Sequence, residues 1–98
     1  MDNRRRHDRV KMSLNVLYGG LDGKEVLSST MDISMSGMFV KTDAPLTLGT
    51  AIGASIDAGM IGKVVNVEGN VIREQEDGMA VEFVHVGEKD MGLLLTHR

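Results

Sequence analysis

Apolar and polar residues alternate with a period of two through most of this 98-residue chain, the pattern of strands that bury one face. Val10, Met12, Leu14, Val16 and Tyr18 fall on one parity, with Lys11, Ser13 and Asn15 on the other. Gly19-Gly20-Leu21-Asp22-Gly23 then supplies a turn. A second strand is expected over about residues 24–33, with Leu27, Met31 and Ile33 on one face. Ser36-Gly37 interrupts it, and Met38-Phe39-Val40-Lys41-Thr42 resumes as a third. Beyond a loop marked by Pro45 and Gly49, Ile52, Ala54 and Ile56 alternate again. In the next run Ile61, Val65, Val67, Val71 and Arg73 share one parity, and Gly69 inside it predicts a bulge or sharp bend. A polar turn from Glu74 to Gly78 leads to a sixth strand that begins with Met79, Val81 and Phe83.

Only the end changes period. Met91, Leu94 and Leu95 stand at i, i+3 and i+4 after Gly87, which predicts a short helix. Gly92 weakens that helix by roughly 1 kcal/mol relative to alanine, so it must lean on the body. Six strands and one terminal helix describe an all-β chain folded as an antiparallel barrel or a compact sandwich. Closure into a barrel is favoured because it removes exposed edges. The length fits one domain, since single cores occupy roughly 100–150 residues. The expected divisions are a flexible basic arm over 1–9, a barrel over 10–86 and a short helix over 87–98.

Composition narrows the function. No cysteine is present, which removes disulfides and thiolate metal sites. No apolar run approaches the roughly 18 residues that span a bilayer, and no apolar segment follows the N-terminal arginines as in a secretory signal. A soluble cytoplasmic protein without membrane insertion is expected. The net charge of −3 is unevenly spread. Residues 1–11 hold five basic and two acidic side chains, so they carry +3 and the rest of the chain −6. Positive charge gathered in one short arm on an acidic body suits a compact anion better than a nucleic-acid duplex, which asks for a whole basic face.

Two motifs give that anion a shape. Arg5 and Arg9 form R-x-x-x-R within the cluster Arg4-Arg5-Arg6-His7-Asp8-Arg9, and guanidinium forks grip phosphate oxygens in pairs. Asp32, Ser34 and Gly37 form D-x-S-x-x-G, where a carboxylate, a small hydroxyl and a glycine can receive a flat ring against backbone. Each motif alone also has a plainer use. R-x-x-x-R occurs in solvated basic tails, and D-x-S-x-x-G can be a turn in which Asp32 or Ser34 caps backbone N–H groups while Gly37 supplies a positive φ.

In this order, with Val71-Ile72-Arg73 and Gly78-Met79-Ala80-Val81-Glu82-Phe83 behind them, the motifs resemble the PilZ domain, a bacterial receptor for the second messenger cyclic di-GMP. The resemblance covers residues 4–86 and implies a six-stranded antiparallel barrel. It further implies that Arg5 and Arg9 hold the ligand's phosphates and stack on guanine, and that Asp32, Ser34 and Gly37 receive a guanine. Guanine's Watson–Crick edge offers donors to an acceptor-only carboxylate, so Asp32 should select against adenine. Ser34 lies two residues on and can add a bond to base or phosphate, while Gly37 lets the ring approach the backbone. Arg4 and Arg6 extend the cluster, and an extra basic residue before the motif is associated in the family with an intercalated ligand pair. Arg73 stands where some relatives contact the ligand; a surface ion pair with a glutamate is its alternative.

The resemblance implies a receptor that changes shape on binding and signals to an effector protein, with cyclic di-GMP as ligand and no cofactor. Ligand-driven ordering of residues 1–9 is the expected start of that signal. His7, His85 and His97 share no metal-ligand spacing, and no nucleophile elbow accompanies His7, Asp8 and Ser34, so neither a metal site nor catalysis is expected. The eight methionines read as core filler, although Met35 and Met38 flank the second motif. A PilZ-type interaction adaptor without ligand is the main alternative. An RNA-binding barrel is disfavoured by three aromatics and an acidic body, because single-strand binders need stacking platforms.

Overall fold

The computed structural model describes residues 9–19 and 23–96. Seven strands, one 3₁₀ turn and one helix follow in order: β1 (Val10–Lys11), β2 (Asn15–Gly19), β3 (Glu25–Ile33), β4 (Gly37–Lys41), β5 (Ala51–Ala58), the 3₁₀ turn (Gly59–Ile61), β6 (Lys63–Gln75), β7 (Gly78–Val86) and α1 (Glu88–Thr96). All pairings are antiparallel, and the sheet runs β3-β2-β5-β6-β7-β4 and closes through β3 on β4. The result is the expected six-stranded antiparallel barrel, with β1 as an extra strand beside the end of β3.

The parity read from the sequence becomes the core. Val16, Tyr18, Ile52, Ala54, Ile56, Val65, Val67, Val71, Met79 and Val81 point inward and are buried. Tyr18 carries its hydroxyl inside because the group is satisfied there, donating to the Ala44 carbonyl at 2.8 Å and lying 2.9 Å from Thr42 Oγ1. After Gly87, α1 sends Met91 and Leu94 into the same core, and a 3.8 Å ion pair between Lys63 and Asp90 ties the helix to β6.

Three irregularities depart from simple alternation. The first predicted strand is split into β1 and β2: Met12, Ser13 and Leu14 oppose only Thr30 and Met31 on β3. The second lies in β3, where the pairing with β4 passes from Thr30↔Val40 to Asp32↔Phe39 and leaves Met31 as an extra residue. Leu27 and Met31 therefore face outward, at 69% and 46% exposure, while Ile33 is fully buried; the expectation that all three share a face fails at this bulge. The third falls between β6 and β7. Their register shifts beside Gly69, as the sequence suggested, and again between Val71 and Arg73. Gly69 is needed because a Cβ there would overlap the Glu82 carbonyl oxygen on β7. The second shift turns Arg73 away from the parity of Val71 and onto the outer surface.

Candidate functional site

The bulge at Met31 decides where Asp32 points. Strand residues alternate faces, and one extra residue reverses the alternation beyond it. Thr30 before the bulge is buried in the barrel, and Asp32 after it lies on the outside, opposite Phe39 of β4 and Lys11 of β1. Because β1 pairs with β3 here, Arg9 is delivered beside the same carboxylate, with its Nη1 3.1 Å from Asp32 Oδ1. The two side chains are 31% and 29% exposed, so the pair is partly screened by solvent and holds the chain only weakly. Asp32 Oδ1 is shut away from solvent, yet no hydrogen bond of good geometry reaches it among the described residues. At 3.1 Å the Arg9 contact has hydrogen-bond length but lacks the alignment, so this oxygen keeps acceptor capacity.

The rest of the second motif builds the turn from β3 to β4. Ser34 N–H donates to the Gly37 carbonyl at 2.8 Å, and Ser36 N–H donates to Ser34 Oγ at 3.1 Å. Ser34 Oγ also lies 3.1 Å from Ser36 Oγ and 3.4 Å from the Gly37 carbonyl. This hydroxyl is buried and engaged in closing the turn, whereas Ser36 is exposed. Phe83 N–H of β7 donates to the Ser36 carbonyl at 2.8 Å and anchors the turn from the other side. Gly37 is buried, and its φ is not among the positive values, which among the described residues belong to Gly23, Gly49 and Gly62. Its reason is close packing of β4 on β7: a Cβ would overlap the Val81 carbonyl oxygen. The turn reading of this motif thus holds for Ser34, while the positive φ expected at Gly37 is replaced by strand proximity.

Around Asp32 the ladders line up one row of outward positions, Lys11–Asp32–Phe39–Ala80–Arg73, across β1, β3, β4, β7 and β6. Arg73 is therefore in line with Asp32 three strands further round the barrel, about 14 Å along the curved wall at roughly 4.8 Å per strand. It is exposed and makes no ion pair among the described residues, so the glutamate partner does not materialise there. Phe39 and Ala80 between them are almost buried despite their outward register. Sequence reasoning passed over this pair, because Phe39 looked like ordinary strand filling; its off-parity place beside the buried Met38 and Val40 was the available signal. Met38 is fully inside the barrel and Met35 only partly buried. Arg4, Arg5 and Arg6, with the ordering expected of the arm up to residue 8, lie outside the described residues. No group of acidic and histidine side chains able to hold a metal occurs among the described residues.

The sequence matches the family model of the PilZ domain over residues 3–97. This chain belongs to the PilZ domain family. Solved structures share its fold at low identity. The inhibitor of motility MotI/DgrA of Bacillus subtilis superposes with a TM-score of 0.79 at 20% identity, over 94% of this chain and 48% of that one. The PilZ domain of Escherichia coli YcgR, solved with c-di-GMP, gives 0.74 at 16% identity over 94% and 86% of the two chains. The PilZ domain of CeSA from a cellulose-synthesizing bacterium gives 0.63 at 20% identity over 90% and 91%. This PilZ domain spans about half the length of the B. subtilis protein. No curated protein sequence matches it.

Proposed function

We propose that this PilZ domain is a cytoplasmic receptor for cyclic di-GMP that acts by binding and carries out no catalysis of its own. One observation carries the reading: Arg9 of the first motif and Asp32 of the second, distant in sequence, stand 3.1 Å apart on the outer wall of the barrel. In this reading Arg5 and Arg9 take the phosphates, and the Asp32 carboxylate, released by Arg9, accepts from the N1–H and N2–H₂ donors of guanine. Ser34 and Gly37 act by shaping the turn that presents Asp32. Arg73 supplies a second cationic position at the far end of the row, and Arg4 and Arg6 strengthen the phosphate end.

Further support comes from family membership and from the YcgR PilZ domain, solved with c-di-GMP on the same fold. No helix among the described residues is long and apolar enough to cross a membrane. Signal output runs through a change of shape: a ligand that takes Arg9 must loosen its pair with Asp32 and reposition β1, which alters the surface offered to an effector protein. Calorimetric titration with cyclic di-GMP, cyclic di-AMP and a short RNA tests the proposal. Saturable binding of the guanine ligand alone is expected, and two molecules per chain would bring Arg4 into the site. Heat from RNA but not from cyclic di-GMP would overturn it, and silence with all three would leave a ligand-free adaptor.

A further inference from the structure

The wall behind the site contains a buried hydroxyl with an unusual task. Between β1 and β2 the chain carries one residue too many: Met12 to Leu14 face only Thr30 and Met31 across the ladder. Regular pairing cannot satisfy that stretch. Main-chain bonds survive at its two sides, from Met12 N–H to the Met31 carbonyl at 3.2 Å and from Thr30 N–H to the Leu14 carbonyl at 2.9 Å. The gap between them is filled by one side chain. Thr30 Oγ1 donates to the Met12 carbonyl at 2.7 Å and accepts from Leu14 N–H at 3.0 Å, in a position only 1% exposed. Thr30 also sits immediately before the Met31 bulge that turns Asp32 outward.

We propose that Thr30 is a positioning residue for the ligand site: its hydroxyl braces the mismatch between β1–β2 and β3, and so sets β1 in the register that brings Arg9 to Asp32. The inference rests on the cyclic di-GMP reading for its effect on affinity, but the brace itself does not. Without the hydroxyl, the Met12 carbonyl and Leu14 N–H lose their partner, and β1 is held by two residue pairs, Val10↔Ile33 and Lys11↔Asp32. Thr30→Val keeps the shape and the β-branched stem while removing the bonds; Thr30→Ser keeps the bonds.

The test combines calorimetric titration with cyclic di-GMP and amide hydrogen exchange on the wild type, Thr30→Val and Thr30→Ser. Thr30→Val should bind about 3- to 10-fold more weakly, and its Met12 amide should exchange about tenfold faster, while amides of the β4–β7 ladder keep their protection. Thr30→Ser should restore affinity to within about twofold and protect the Met12 amide again. Uniformly faster exchange through the whole barrel would overturn the proposal, because the hydroxyl would then serve the fold at large. So would loss of the fold in both Thr30→Val and Thr30→Ala, unchanged affinity in Thr30→Val, or failure of serine to rescue. If the wild type takes up no cyclic di-GMP, the proposed function fails, and the Met12 amide still reports on the brace.

Discussion

The β5–β6 and β3–β4 ladders belong to one barrel and obey different rules. β5 and β6 pair without a slip from Ala51↔Asn70 to Ala58↔Lys63, and Ile52, Ala54, Ile56, Ala58, Val65 and Val67 of that stretch all go to the core. β3 and β4 slip once within a much shorter contact, and the slip lies beside Asp32. A strand whose only duty is to bury one face does best with strict alternation, since every departure removes a ladder bond or exposes an apolar side chain. A strand that must aim a polar group outward at a set place needs the departure. Of these two ladders, the regular one is scaffold and the slipped one carries the place where Arg9 and Asp32 meet.

That contrast predicts separable losses, stability on one side and affinity on the other. The largest effect is expected for Ile56→Ala in the regular ladder, where a fully buried side chain leaves a cavity costing about 2–5 kcal/mol. Urea unfolding should show the loss, while the folded variant binds cyclic di-GMP as the wild type does; a large fall in affinity would break the contrast.

Next comes Arg9→Ala. A charged hydrogen bond contributes about 1.5–3 kcal/mol, so affinity should fall about 10- to 150-fold, with Arg5→Ala behaving alike. Stability should change by less than about 1 kcal/mol, because the Arg9–Asp32 pair is partly open to solvent. Calorimetry and urea unfolding on the same samples read both quantities, and wild-type affinity in either variant would remove the arm from the site.

Gly37→Ala should lower both stability and affinity, and so sharpens the boundary between the two kinds of loss. Its methyl group meets the Val81 carbonyl oxygen, so β4 must part from β7 at a cost of about 1–3 kcal/mol. The turn that carries Ser34 and Ser36 moves with it, and affinity should decline alongside stability. A variant that loses stability and binds normally would show that the turn does not position the ligand.

Among the variants of the site itself, the smallest effect on binding strength is expected at Asp32. Asp32→Ala removes a guanine contact but also frees Arg9 from its partner, and these oppose each other, leaving a net loss of about 1 kcal/mol. Its signature is selectivity: parallel titrations should show cyclic di-AMP closing most of its gap to cyclic di-GMP. Undiminished preference for guanine would assign base reading to another group.

Much of this molecule is legible in its sequence. Period two placed the barrel strands, and the stripe of Met91, Leu94 and Leu95 placed the helix, because burial repeats with the backbone's own geometry. Residue chemistry was equally local: arginines spaced for phosphate and a carboxylate followed by serine and glycine are readable wherever they occur. What sequence alone could not carry was the direction of a side chain beyond a slip. Leu27 and Arg73 looked inward by parity and point outward in the barrel, because one extra residue, Met31 in one case and Ile72 in the other, shifts register against a partner strand. Gly37 is likewise glycine for the sake of Val81, a residue met only across the sheet. The same holds for Thr30, whose hydroxyl bridges Met12 and Leu14 on another strand. Periodicity is a property of one segment, so sequence determined which residues form the wall. Register is a property of two, so only the folded barrel decided that Arg9 and Asp32 would meet.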